Sequence, residues 1–182
     1  EPLRLQPSQR ITLRVCASDH CDLRESESHG ESAKYTLKIV TESQLRAELE
    51  AREKILRRRT ETILADGERM QDSLKRMRRS ADRSESSGEE SASSREDSIR
   101  MVRVESAVKA AERMRHETAN VAMEFDRILI ELRNNRVTLL GELEERIGER
   151  IVTPLDRIAS AKIPELEKKL QLVRDQLADA ES

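Results

Sequence analysis

The stretch from Ser98 to Val152, SIRMVRVESAVKAAERMRHETANVAMEFDRILIELRNNRVTLLGELEERIGERIV, decides how this chain folds. Val104, Ala111, Thr118, Phe125, Leu132 and Leu139 recur every seventh residue, and Ala107, Met114, Val121, Ile128 and Asn135 form a second row three places on. Together they make an a/d seam sustained over about five heptads, the pattern of a helix that packs lengthwise on another helix. One helix over 98–152 would reach roughly 80 Å at ~1.5 Å per residue, too long for a small globule. It needs a long partner, and the flanking sequence can supply one.

Upstream, residues 41–83 read as a first coiled-coil helix. Leu49, Leu56, Ile63, Met70 and Met77 keep a strict spacing of seven, and Thr41 or Ser43 can cap the N-terminus. Gly67 weakens the middle by about 1 kcal/mol relative to Ala. Between the two seams lies SESSGEESASSRED, residues 84–97, with six Ser, five acids and no large apolar residue. It buries too little to offset its ordering entropy, so it reads as a disordered acidic loop at the tip of a helical hairpin.

Downstream, the apolar phase moves beyond Leu139 to Leu140, Leu143, Ile147 and Ile151, which reads as a stutter. Thr153-Pro154-Leu155-Asp156 combines a cap residue, a proline at the first helical position and an acid at the third. A third helix over 153–182 is expected to start there, kinked near Pro164. Ile163, Leu166, Leu170, Val173, Leu177 and Ala180 are its seam.

Residues 1–40 differ from all of this. Arg10–Cys16 and Lys34–Val40 alternate polar and apolar, placing Ile11, Leu13 and Val15, and Tyr35, Leu37 and Ile39, on single faces. They read as two strands, each with one buried face, in a β-hairpin looped through Ala17–Ala33. Two strands alone are marginal in water, so the pair reads as the end of a β-sandwich, or leans on the helices. The expected fold class is therefore mainly α: a long helical hairpin or three-helix antiparallel coiled coil, with a short N-terminal β-hairpin.

Composition agrees. Charged residues are 38% of the chain and aromatics 1%, which suits helices that bury a stripe per turn rather than a compact aromatic core. Net charge is −2, against the basic excess of a dedicated nucleic-acid binder. No apolar run approaches the ~18 residues of a membrane span. The chain begins Glu1-Pro2 rather than with Met, and reads as a fragment or processed product whose membrane link would lie outside it.

Cys16, His20 and Cys21, with His29 nearby, could hold zinc or form a Cys16–Cys21 disulfide. The absence of a C-x2-C pair favours a small, buried strand cysteine at Cys16 beside loop residues. Arg57-Arg58-Arg59 and Lys75-Arg76-Met77-Arg78-Arg79 could meet phosphates. Yet residues 41–83 carry 12 basic against 9 acidic residues, and no aromatic is at hand for base stacking, so a solvated charged face is the better reading. Asn135 either fixes register as a buried seam Asn or marks a local break with Asn134. His116 has no partner close in sequence and reads as a surface helical histidine. No nucleophile elbow, HExxH, P-loop or dinucleotide glycine pattern occurs.

Arg10–Asp19 and Lys34–Val40 together look like the last two strands of an immunoglobulin- or cadherin-like sandwich. Ala17-x-Asp19 is similar to the A-x-D at the end of a cadherin-type strand, without the Gly and Pro that continue the calcium motif. With TLKIVT leading into a charged helix, and ELRNN and PLDRI…IPELEKKL later, the chain resembles large bacterial envelope proteins of unassigned function. That resemblance implies an extracytoplasmic or membrane-linked setting and no activity. The expectation is a non-enzymatic coiled-coil module, a spacer or docking arm without cofactor. Its partners would be other helices of the same or another protein, a homo-oligomer included. A signal-relaying helical stalk and a weak nucleic-acid or anionic-lipid binder are the alternatives.

Overall fold

The computed structural model describes residues 5–19, 28–87, 90–137 and 140–180. It is mainly α: three long helices follow a short antiparallel β-hairpin. The chain divides into two compact units, Glu1–Glu50 and Ala51–Ser182.

In the first unit β1 (Arg10–Leu13) pairs antiparallel with β4 (Tyr35–Lys38), setting Ile11 opposite Leu37 and Leu13 opposite Tyr35. The stretch expected as a loop contributes a second ladder, β2 (Cys16–Asp19) with β3 (Ser28–Glu31). Between the ladders two residues, Arg14 and Val15, oppose three, Ser32 to Lys34, which is the count of a β-bulge. Ser32 bridges it: its N–H donates to the Val15 carbonyl at 2.9 Å, and its hydroxyl accepts the Val15 N–H at 2.9 Å. The buried strand face expected from the alternation is not found. Leu13 is 48% exposed, Val15 67%, Tyr35 60% and Leu37 49%. Among the described residues of this unit these side chains stay open to solvent.

Helix α1 (Glu42–Ser87) opens with a capping box at Thr41-Glu42-Ser43-Gln44. The Gln44 N–H donates to Thr41 Oγ1 at 3.2 Å and the Thr41 N–H to Gln44 Oε1 at 3.1 Å, so two otherwise orphaned donors are met reciprocally. Thr41, not Ser43, is the cap. Leu45 and Leu49 are buried in this first unit.

In the second unit α2 (Glu90–Asn134) is the spine. Arg52 of α1 reaches Glu131 at 2.8 Å, and Arg59 reaches Glu117 at 2.7 Å. Rising numbers on one helix meet falling numbers on the other, so the two run antiparallel. The expected loop 84–97 is much reduced: α1 continues to Ser87 and α2 begins at Glu90. Once a helix is nucleated each further residue adds a backbone hydrogen bond, so a polar serine stretch can extend it.

The expected long helix 98–152 is divided. Helix α2 stops at Asn134 and the chain reverses through Asn135-Arg136-Val137. Arg136 is left-handed at φ 50°. Its N–H donates to the Arg133 carbonyl at 3.1 Å, and the Val137 N–H to the Leu132 carbonyl at 3.3 Å. Those two bonds, with Leu132 and Val137 both buried, form a Schellman close. Asn135 marks this break and is exposed, its Nδ2 donating to the Glu131 carbonyl at 2.8 Å. The change of apolar phase near Leu139 is therefore a chain reversal, not a stutter. Leu139 itself lies outside the described residues.

The third helix covers residues 140–180 and does not restart at Thr153. Val152, Thr153, Arg157, Ile158 and Ile163 all have helical dihedrals. Two segments, Glu144–Val152 and Ile158–Lys162, are wound as π-helix. Each ends just before the residue that precedes a proline. There the Thr153 N–H reaches back five residues to Gly148, and the Ile163 N–H to Ile158. A proline offers no N–H and crowds the carbonyl four residues back, so a looser ladder suits both places.

The side chains explain the winding too. Leu143, Ile147, Ile151, Leu155, Ala159 and Ile163 are spaced by four throughout, and none is fully exposed. In a plain α-helix such a row drifts by about 40° per step, hence about 200° over five steps, and would carry Ile163 to the far side. Turns that take more residues bring the row back onto one face. Ile147, Ala159 and Ile163 are accordingly buried.

This helix also runs antiparallel to α2: Arg115 meets Glu167 at 3.0 Å and Arg133 meets Glu144 at 2.6 Å. The second unit is thus an up–down–up three-helix arrangement with α2 shared by both neighbours. Arg136→Gly should raise stability by about 0.5–1 kcal/mol, since the left-handed site penalises a side chain. Thermal unfolding checks it; no gain would mean that Arg136 is held there by contacts of its own.

Candidate functional site

Most of the expected seam is buried. Val104, Ala111 and Val121 are fully enclosed, and Leu56, Phe125, Ile128, Leu132 and Leu170 nearly so; Leu49 is buried in the first unit. Ile63, Met70, Met77, Met114, Leu166, Val173 and Leu177 are half-buried. Thr118 sits in the seam at 2% exposure because its hydroxyl donates to the Met114 carbonyl at 2.6 Å. The a/d reading misses Val108, Ala122 and Leu129, which are also buried. With Arg115 they form their own row of seven, the second stripe that a helix needs when two neighbours cover it.

The half-buried seam residues are the informative ones. Near Arg146 the first and third helices meet, since both Arg146 guanidinium nitrogens donate to the Glu53 carboxylate at 3.0 Å. Farther along they part. Between them lies an open, mostly apolar groove of about 550 Å³. Its α1 wall is built from Ile63, Leu64, Met70 and Leu74, its floor from Met114 and Thr118, and its far wall from Leu155, Ile158 and Leu166. Leu64 is 62% exposed and Ile158 40%, so the two lips are apolar and wet.

Two features shape the groove. Its floor rises to α1 at Gly67, where a Cβ would stand 3.0 Å from Met114 Cε. The far wall coincides with the section of the third helix that the π segments shape. Sequence reasoning misses Leu64, Leu74, Leu155 and Ile158 because they stand off the heptad rows. The signal was large aliphatics beside a seam already complete.

The rims are charged. On α1 Glu61 accepts from Arg57 at 3.2 Å, and Glu68 lines the opening. On the third helix Lys162 follows Ile158 by one turn. Beyond it Glu165 accepts from Lys169 at 2.8 Å. That hydrogen bond first, then the charges of Lys169 and Lys162, hold the Glu165 carboxyl below its ordinary range.

The remaining candidates do not assemble. Cys16, expected to be buried, is an exposed free thiol on β2, since its ladder has no cover among the described residues; His20 and Cys21 lie outside them. Among the described residues no three His, Cys, Asp or Glu gather as a metal site. His116 is exposed. Of the basic clusters, Arg57 and Arg59 face carboxylates, while Lys75 donates to Gln71 at 2.9 Å. No helix among the described residues is long and apolar enough to cross a membrane. Comparisons of the chain with protein-family models, curated proteins and solved structures find no match.

A site built for contact and not for stability should tolerate change. Leu64→Gln should alter unfolding free energy by less than about 0.5 kcal/mol. Phe125→Ala, 3% exposed on α2, should cost about 3–5 kcal/mol. Denaturant melts of both variants check this, and equal losses would make the groove wall part of the core.

Proposed function

We propose that this chain is a non-enzymatic interaction module, a helical docking arm or spacer within a larger, envelope-associated protein. One observation carries the reading: the groove between the first and third helices, walled by aliphatic side chains and rimmed by charge. A three-helix arrangement that leaves such a trough has the form of a bundle lacking one member, and amphipathic helices dock in troughs of this kind through apolar anchors. The lining is mostly aliphatic, which suits the docking of an apolar surface. The envelope setting draws its support from the likeness of ITLRVCASD and KYTLKIV to the closing strands of sandwich domains.

A second reading, the signal-relaying stalk, draws on the two π segments of the third helix. Rewinding either to α would rotate Ile163–Ala180, and a helix that can be wound in two ways is the kind of element a relay needs.

The test places a photo-crosslinking amino acid at Leu64, Ile158 or Met123 in living cells. Met123 is 48% exposed on α2 and does not line the groove. Discrete protein adducts from Leu64 and Ile158 but not from Met123 are expected. Equal smears from all three, or none, would overturn the docking reading.

A further inference from the structure

We infer that the partner covering this groove is a second copy of the same chain, in a two-fold dimer whose axis runs along the helices. The inference rests on the docking reading above and names its partner.

The Glu53–Arg146 pair joins α1 to the third helix at one height, and both then run the same way. At ~1.5 Å per residue on α1, and somewhat less along the π segments, Leu64 comes level with Ile158. On the same count Glu68 lies within a turn of Lys162. A two-fold axis parallel to the helices keeps heights and exchanges sides. It sets the α1 lip of one copy against the third-helix lip of the other, twice. Leu64 then lies on the second copy's Ile158, and Glu68 reaches the second copy's Lys162.

The opposite choice, with the axis across the helices, lays each α1 lip on another α1 lip. That sets each rim against its own copy and keeps Glu68 away from Lys162. The first arrangement pairs Glu68 with Lys162 twice, and an isologous contact needs one such self-complementary surface, which is what each copy has. The neighbouring rim charges are matched within their own helices: Lys75 lies 3.8 Å from Asp72, and Lys169 pairs with Glu165 at 2.8 Å. They oppose the contact little. The two exposed aliphatics at each lip supply the apolar anchor, and the charge pairs fix which lip meets which.

The experiment is light scattering of the full chain over a wide micromolar range. The expected mass moves from 20.9 kDa toward twice that value as concentration rises. Leu64→Lys should abolish the larger species, with helicity by circular dichroism unchanged because Leu64 is exposed in the single chain. Glu68→Lys alone and Lys162→Glu alone should each weaken dimerisation about tenfold, and the two together should restore it. A chain monomeric throughout overturns the proposal, as does a dimer indifferent to Leu64→Lys and to the charge exchange. In either case cellular adducts with a different protein at Leu64 and Ile158 would leave the docking reading standing.

Discussion

Everything in the second unit depends on the burial of α2 along two stripes at once. Its a and d rows alone would satisfy one partner. The further row of Val108, Ala122 and Leu129 obliges a second helix to lie alongside, and the chain returns through Arg136 to provide it. Core residues from three segments meet on this spine: Ala107, Val108 and Ala111 of α2 pack with Ile163 and Leu170, and Met70 and Leu74 of α1 lean on the same cluster. Apolar burial on this scale, at about 25 cal/mol per Å², far outweighs the surface ion pairs. Those pairs chiefly fix direction and register.

The groove follows from that arrangement. Both outer helices face α2, touch each other near Glu53 and Arg146, and leave aliphatic side chains uncovered where they part. The third helix shapes the gap through its row of fours. Sustained over five steps, that spacing commits the helix to turns wider than α, and Pro154 and Pro164 mark where the ladder loosens.

Much of this was legible in the sequence and some was not. The seven-residue rows announce two long antiparallel helices because burial of a stripe leaves a period that local sequence cannot hide. The end of α2 was only half legible: Asn134-Asn135 offered a break, but the left-handed closing residue is Arg136, where glycine is the usual signal. Thr153-Pro154 resembles a helix start, but here the proline follows a π-wound stretch inside a continuous helix. Loop composition misled at 84–97 because serine and glutamate lack burial, not helical geometry. The groove was invisible for a different reason: Leu64 and Ile158 matter only through where three helices leave a space.

The most direct measurement is the distance between spin labels placed at Arg79 and Val102, compared with labels at Arg79 and Arg133. All three positions are exposed and lie on the helices whose pairing is claimed. Antiparallel packing of α1 on α2 predicts a short distance for the first pair. For the second it predicts a separation of about 45–50 Å, set by the rise of the intervening stretch of α2. The reverse order, or two equal distances, would contradict a shared antiparallel spine.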